Sequence, residues 1–488
     1  MLPPIPVLAD YDIDPHRGFL PPELPLTSLL DPYYSKWEIV IEKLHALILS
    51  RRIRSTVDRL PVLSTVYLHS DAEWRRAYVV LTFMLHAYIW GGDIPEEVIP
   101  PSISVPLLEV CEHLDLPPVA TYAAVCLWNY KPIFADEPAE DLNNLAVINT
   151  LTGSTDEQWF YLVSVAIEAK GAPMLPSMLE AIAAARRGDS STVTSCLQGL
   201  AQCITEITVI MQRLFEHCDP HVFYHKVRPF LAGSKNMGDA GLPNGVMFDI
   251  GTGPTEFRQY GGGSNAQSSL LQFFDIVLGI EHRPTGVGPD DDRSQSESEG
   301  LSAKPRHNFI QEMRQYMPRE HRRFLEHVGS VANIREFVDA RRSDKALCLA
   351  YDASLAMLRD LRDKHIQVVS RYIIVKSREQ RRNSVSTNPP ISRPVMNLAN
   401  VRHGDKAGSK KLRGTGGTAL IPFLKQARDE TGEPAIDAWA RRLLSNGPAN
   451  RGFATLDKVR EHADGQIEIV GMAGTWAMDE SEGGICHW

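Results

Sequence analysis

The sequence predicts a mainly α protein. Three observations predict it. Apolar residues recur at helical spacing through Trp37, Ile41, Leu44 and Ile48, the pattern of a helix facing a core. Alternating runs of strand length are scarce. No self-similarity at solenoid spacing is present. The 488 residues suggest about three domains, or two domains with tails. A hydrophobic content of 43% is ordinary for a chain able to bury a sizeable core.

Along the chain, residues 1–34 are Pro-rich and read as irregular, lying across a surface. Helical spacing dominates from Tyr34 to Tyr130, with breaks at Pro61, Gly91-Gly92, Pro100-Pro101 and Pro117-Pro118. Residues 131–158 read as a connector. Two long helical stretches are predicted from Gln158 to Cys218, with a junction at Gly188-Asp189-Ser190, where Asp or Ser caps the next helix. Asp219-Pro220 ends the second. A glycine-rich segment follows Phe223 and leads to a helix starting near Ser264. Residues 283–308 are polar, acidic and of low complexity, which predicts a disordered insertion. Helices are predicted again at Phe309–Leu325, Ile334–Val338 and Lys345–Lys376. A basic stretch, 377–415, reads as a mobile loop, and a helix follows to Arg428. Residues 429–488 read as a C-terminal extension, partly disordered, with one helical piece at Ala435–Leu444 and no core of its own.

Charge and cysteine usage exclude several classes. Lys and Arg number 51 against 60 Asp and Glu, a net charge of −9. This argues against a dedicated nucleic-acid binder. The seven Cys are scattered without a CxxC pair, which predicts a reducing compartment with no disulfide framework or zinc ribbon. The first residues, MLPPIPVLADYDID, carry neither the basic nor the apolar region of a secretory signal. The run Ala77–Trp90 is shorter than the ~20 residues of a membrane span and reads as a buried helix.

Several residues invite a chemical reading. His217, His221 and His225 would form a metal face on one continuous helix, but Pro220 breaks that helix. The glycine-rich pieces contain no GxxxxGK[ST], and GGSNA departs from the Gly-x-Ser-x-Gly elbow at its last position. His365 shares a helix face with Leu358, Leu361, Val369 and Tyr372, so its imidazole points to the apolar side. It is either a core histidine bonded to a neighbour or a neutral imidazole that binds iron in an apolar pocket. Arg362, one turn earlier, is placed to meet a haem propionate. Without CxxCH such a haem is not covalently attached. Ser164 lies among Trp159, Phe160, Val163 and Ile167, where a lone Ser usually bonds its own preceding turn. Arg228 follows Phe223 and Tyr224 and is either a surface arginine with a snorkelling stem or a carboxylate anchor.

The blocks RPFLAG (228–233), GGGSNAQSSLLQFFDIVLGIEH (261–282), FIQEMRQYMPREHRRFL (309–325), HIQVVSRYI (365–373) and GTGGTAL (414–420) occur in this order. With YDIDPHRGFLPP (11–22), LDLPPVATYAAVCLWNY (114–130) and FYLVSVAIEA (160–169) upstream, the sequence resembles the indoleamine 2,3-dioxygenase family, fungal type, over about residues 8–428. The resemblance implies a small N-terminal helical domain (1–150) packed on a large all-helical haem-binding catalytic domain (151–428), in a cytoplasmic, monomeric enzyme with one haem b, active in the ferrous form. It implies that both atoms of O2 enter the indole C2–C3 bond of L-tryptophan to give N-formyl-L-kynurenine, the start of the kynurenine route toward NAD. It further implies an electron donor as partner, and neither nucleic acid nor membrane.

Carried over by position, the resemblance implies that His365 is the proximal iron ligand and Arg362 a propionate partner. Ser264 and Asn265 fall on the loop over the haem edge, and Asp275 on a residue tied to haem retention. It places Ser164 near the substrate ring nitrogen, Tyr122, Val125 and Phe160 on the indole wall, and Phe223 as a distal aromatic. Arg228 would bind the substrate carboxylate, and Thr415 would lie on the loop that closes over it. Tyr224 and Ala232 stand where Phe and Ser are common, and Asn265-Ala266 replaces a smaller pair. The alternative is a haem- and O2-binding sensor, or a low-affinity paralogue of the same fold.

Overall fold

The computed structural model describes residues 3–137, 141–252, 256–285, 308–378, 414–415 and 420–445, and the backbone of three short strands between 458 and 477. Most of the predicted insertion (286–307) and most of the basic loop (379–413) lie outside the described residues, as do 416–419 of the GTGGTAL block.

Two hydrophobic cores organise the chain. The first is built on the buried helix Asp71–Trp90, which a capping box between Ser70 and Glu73 starts and Gly91 ends. Helices Ser35–Glu42 and Pro101–Leu114 pack around it. The same core takes in Tyr161–Ala166, Phe223–Ala232 and Val368–Ile373 from beyond residue 150. The second core joins helices Met174–Arg187, Ser190–Gln212, Ser269–Val277, Arg319–Val331 and Lys345–Val369. Leu8, Ile13 and Phe19 cross from the N-terminus onto this second core, where Tyr11 packs edge-on against Phe324. The Ser190–Gln212 helix passes a length-and-composition test for a membrane span when extended to His217, but Val193, Leu197, Leu200, Ile204 and Ile207 are buried against its neighbours. Short strands serve as clips: Val98–Ile99 pairs parallel with Val246–Phe248, which pairs antiparallel with Phe257–Arg258. Tyr130–Pro132 pairs with Leu145–Val147 inside the connector.

The predicted junction at Gly188 is present, with Gly188 at φ +80° and the Asp189 side chain accepting from the Thr192 amide. The first long stretch, however, is two helices, Thr155–Gly171 and Met174–Arg187. Pro173 has no amide to continue the ladder, and Gly171 packs so closely on Leu270 that a Cβ there would lie 2.2 Å from its side chain. The helix expected near Ser264 starts instead at Ser269, where the Ser268 hydroxyl accepts from Leu271 N. Phe309–Leu325 is likewise split at Pro318 into Phe309–Arg314 and Arg319–Val331.

The chain from 429 to 445 belongs to the packed body. Ala435 and Leu444 are buried in the second core. Asp352 accepts from the Ile436 and Asp437 amides at 2.8 and 3.0 Å, holding the turn that leads into the helix Ala438–Ser445, which Asp437 caps by accepting from Ala440 N. Arg359 Nε donates to Leu444 O at 2.7 Å. Residues 458–477 contain an antiparallel three-stranded meander that the sequence reading did not predict.

Candidate active site

A cavity lies between the two cores. Its first wall is the Thr155–Gly171 helix, which presents Phe160, Val163, Ser164 and Ile167 at helical spacing. The opposite wall is the Lys345–Val369 helix, with Leu358, Leu361, Arg362, His365 and Val369. All twelve predicted site residues line this cavity: Tyr122, Val125, Phe160, Ser164, Phe223, Arg228, Ser264, Asn265, Asp275, Arg362, His365 and Thr415. Cys126, Met211, Leu420, Phe423 and Leu424 also line it, positions that helical spacing alone did not distinguish from ordinary core.

Three π-helical turns surround the cavity, at Ala123–Leu127, Phe223–Val227 and Ser370–Val375. Each inserts one extra residue per turn and re-aims the side chains that follow, a local irregularity often found at functional sites. The second leads directly into Arg228. The histidine series is broken as predicted: Cys218 is extended and Asp219 caps a new turn at Pro220. Among the described residues no group of His, Cys, Asp and Glu is arranged to hold a metal ion by itself.

His365 is placed deep in the protein, and the accessible part of its ring faces the cavity. Burial, with a further push from Arg362, lowers its pKa to about 4, so the imidazole is neutral at physiological pH. Among the described residues neither ring nitrogen has a hydrogen-bond partner. This removes the reading of a core histidine bonded to a neighbour, because a buried polar group without a partner is costly unless it has another ligand. It is also the only histidine among the described residues lining the cavity. Arg228 is 2% exposed, which overturns the surface-arginine reading. Burial lowers its pKa to about 10, so it remains a cation, and its guanidinium sits 5.3 Å from the Tyr224 ring centre. Tyr224 also hydrogen-bonds it, which gives a function to the hydroxyl that this chain carries at a common Phe position. Ser164 does not bond its own preceding turn; it interacts with the Tyr122 hydroxyl and the Cys126 thiol.

Arg362 holds Asp275 by two bonds, 2.6 and 2.7 Å, and donates through its other terminal nitrogen to Thr431 and to Ala427 O. Asp275 in turn meets His282 at 3.1 Å, and His282 meets Glu430 at 2.7 Å. Burial acts to raise the Asp275 carboxyl, but Arg362 and then His282 outweigh it and hold it below its ordinary value. Burial acts to lower His282, but Asp275 and Glu430 hold it above its ordinary value. The chain of alternating charges fastens the helix Leu420–Thr431 to the His365 helix. At the cavity edge, Thr415 Oγ1 donates to Gly263 O at 2.8 Å and Gly262 N donates to Thr415 O at 3.1 Å. The glycines here serve close packing: a Cβ at Gly262 would lie 2.1 Å from Leu231 O, and one at Gly233 2.2 Å from Tyr260 O.

A family model described as indoleamine 2,3-dioxygenase matches residues 7–434. The chain belongs to the indoleamine 2,3-dioxygenase family. It is 43% identical over 439 residues to an indoleamine 2,3-dioxygenase of Saccharomyces cerevisiae, covering 88% of this chain and 93% of the relative. It is 39% identical to an indoleamine 2,3-dioxygenase of Aspergillus nanangensis, with 88% and 98% covered. A 6-hydroxytryptophan 2,3-dioxygenase of Fusarium equiseti is 37% identical, with 87% and 96% covered. The protein is therefore a dioxygenase, and members of this family are haem enzymes that act on tryptophan-like substrates. The residues present fit that cofactor: an apolar cavity, one neutral imidazole with both nitrogens unclaimed, and a polar edge at Ser264, Asn265 and Arg362.

Proposed function

We propose that this enzyme binds one haem b per monomer in its ferrous form and inserts both atoms of O2 across the indole C2–C3 bond of L-tryptophan, giving N-formyl-L-kynurenine. His365 would hold the iron, and Ser264, Asn265 and Arg362 would face the propionates. The haem, when bound, supplies the iron centre at which dioxygen is activated. The chain's own residues bind, orient and exclude water. Tyr122, Val125, Phe160 and Phe223 bury the indole, at roughly 25 cal/mol per Å2 of apolar area. Arg228 fixes the amino-acid end through its carboxylate, so that the C2–C3 edge is held in one place, a proximity effect. Thr415, clipped to the Gly262–Gly263 backbone, closes over that end. Ser164, on the cavity wall, would lie near the ring nitrogen of the substrate. His365 is the one histidine among the described lining residues, so no further imidazole is placed to drive O–O heterolysis with loss of an oxygen as water, which suits a reaction that keeps both atoms in the product.

The observation that carries this reading is the convergence of a neutral, unpartnered His365 and a buried cationic Arg228 on one apolar cavity. A cytoplasmic monomer kept reduced by an electron donor, feeding the kynurenine route toward NAD, completes the proposal. The test is purification with haem, reduction, and addition of O2 and L-tryptophan. Formation of the product's near-ultraviolet absorbance is expected; a Soret band with no product would favour the sensor alternative.

A further inference from the structure

Glu168 lies one turn beyond Ser164 on the Thr155–Gly171 helix and is 1% exposed, yet it is not among the cavity-lining residues. Its Oε1 accepts two hydrogen bonds, from the Tyr122 hydroxyl at 3.0 Å and from the Ser268 hydroxyl at 2.6 Å. Its Oε2 is buried with no hydrogen-bond partner. Tyr122 belongs to the indole wall, and Ser268 caps the helix that carries Asp275 and ends the loop bearing Ser264 and Asn265. One carboxyl thus joins three walls of the site. A parallel stitch runs through Gln267, which accepts from Tyr122 N at 2.8 Å and donates to Gly262 O at 2.9 Å.

We propose that Glu168 is a positioning residue for substrate binding, and that gain or loss of its proton loosens or tightens the join between the Tyr122 wall and the 263–268 loop. The groups that face it support this. From the Ala123–Leu127 turn and its start come Tyr122 and Cys126, both pushed well up by burial and therefore neutral. From the loop come Ser268 and Gln267, which do not titrate. On its own helix, the Lys170–Glu206 ion pair is half-exposed and lies two residues on, toward another face. Among the described residues no cation pairs with Glu168. Burial accordingly raises its pKa to about 7, so both states are populated near neutrality. The ionised carboxyl receives charge-assisted bonds from both hydroxyls, which are shorter and stronger than those to the neutral acid. Tryptophan affinity therefore rises with pH through neutrality.

This inference rests on the proposed tryptophan site. The test uses the haem-loaded enzyme, with L-tryptophan affinity read from perturbation of the Soret band and KM and kcat read separately, each across about pH 6 to about 8. An infrared difference spectrum between wild type and Glu168→Gln reports the carboxyl proton independently of turnover. Wild-type KM is expected to fall about threefold across the range while kcat changes less, and the protonated-carboxyl band to disappear over the same interval. Glu168→Gln keeps the shape and both accepted bonds but cannot ionise, so its KM should be flat and near the wild-type acid value. Glu168→Leu should raise KM about tenfold with haem loading unchanged; if it fails to fold, the Gln profile decides alone. A Gln variant that keeps the inflection, a wild-type affinity without one, or a folded Leu variant with unchanged KM overturns the inference alone. A wild type that binds no tryptophan at any pH overturns the functional reading and this inference with it.

Discussion

Replacing Arg228 by Ala separates anchoring from chemistry. The guanidinium is 2% exposed, and burial takes its pKa from 12.5 to about 10. At about 1.4 kcal/mol for each tenfold in a proton equilibrium, the buried cation carries a penalty of about 3 kcal/mol. That penalty is what remains after the Tyr224 hydrogen bond has acted in favour of the cation. A substrate carboxylate would return the remainder and add a charge-assisted pair of bonds. Removing the arginine should therefore cost about 2–3 kcal/mol of transition-state binding, or roughly 30- to 160-fold in kcat/KM. Haem content should not change, since Arg228 lies away from His365 in the chain and is held by Tyr224. The assay is turnover and Soret-monitored binding of L-tryptophan beside tryptamine, which has the same indole and ammonium but no carboxylate. Tryptamine should bind wild type and variant within about twofold. If Arg228→Ala loses haem, or weakens tryptamine as much as tryptophan, then the arginine supports the fold and the anchoring role is wrong. Arg228→Lys should recover only part of the loss, because an ammonium cannot offer two parallel donors.

The remaining predictions concern the ligand, the charge chain and the C-terminus. His365→Ala should purify folded but without a stable Soret band; full haem loading with normal turnover would exclude His365 as the iron ligand. Asp275, held below its ordinary 3.8, contributes stability that is lost as pH falls through its folded value. His282, held above its ordinary 6.5, contributes stability that is lost as pH rises through its folded value. Apo-protein melting temperature should thus peak between about pH 4 and 6.5, and His282→Gln should flatten the decline on the alkaline side; an unchanged profile would show that another group sets it. Truncation after Ser445 should leave haem content and turnover within about twofold, or ~0.4 kcal/mol. Truncation after Arg428 should reduce haem loading markedly, because it removes the Thr431 and Glu430 bonds to Arg362 and His282 and uncovers the second core. Equal behaviour of the two truncations, read as the ratio of Soret to protein absorbance, would show that residues 429–445 contribute nothing to the site.

The sequence by itself determined the helical class, most helix positions and twelve of the residues that line the cavity, for different physical reasons. Helix positions follow from local chemistry: the 3.6-residue apolar period, Ser70 with Glu73 as a capping box, Gly188 where a left-handed φ is required, and Pro220 where an amide is missing. The lining residues were legible through ordered motifs that resemble a known family. From periodicity alone, the bland reading of His365 was the stronger one, and for Arg228 both readings stood open. Only the tertiary structure decided between them, because burial and hydrogen-bond satisfaction depend on residues far away in sequence. His365 has no partner on any neighbouring element, and Arg228 is enclosed by a turn whose π-helical geometry no spacing rule anticipates. The split at Pro173 also depends on a distant contact, Gly171 against Leu270. Glu168 shows the limit most plainly. In sequence it is one polar residue in an apolar helix; its two hydroxyl partners are 46 and 100 residues away, and their convergence on one oxygen exists only once the two cores have packed around the cavity.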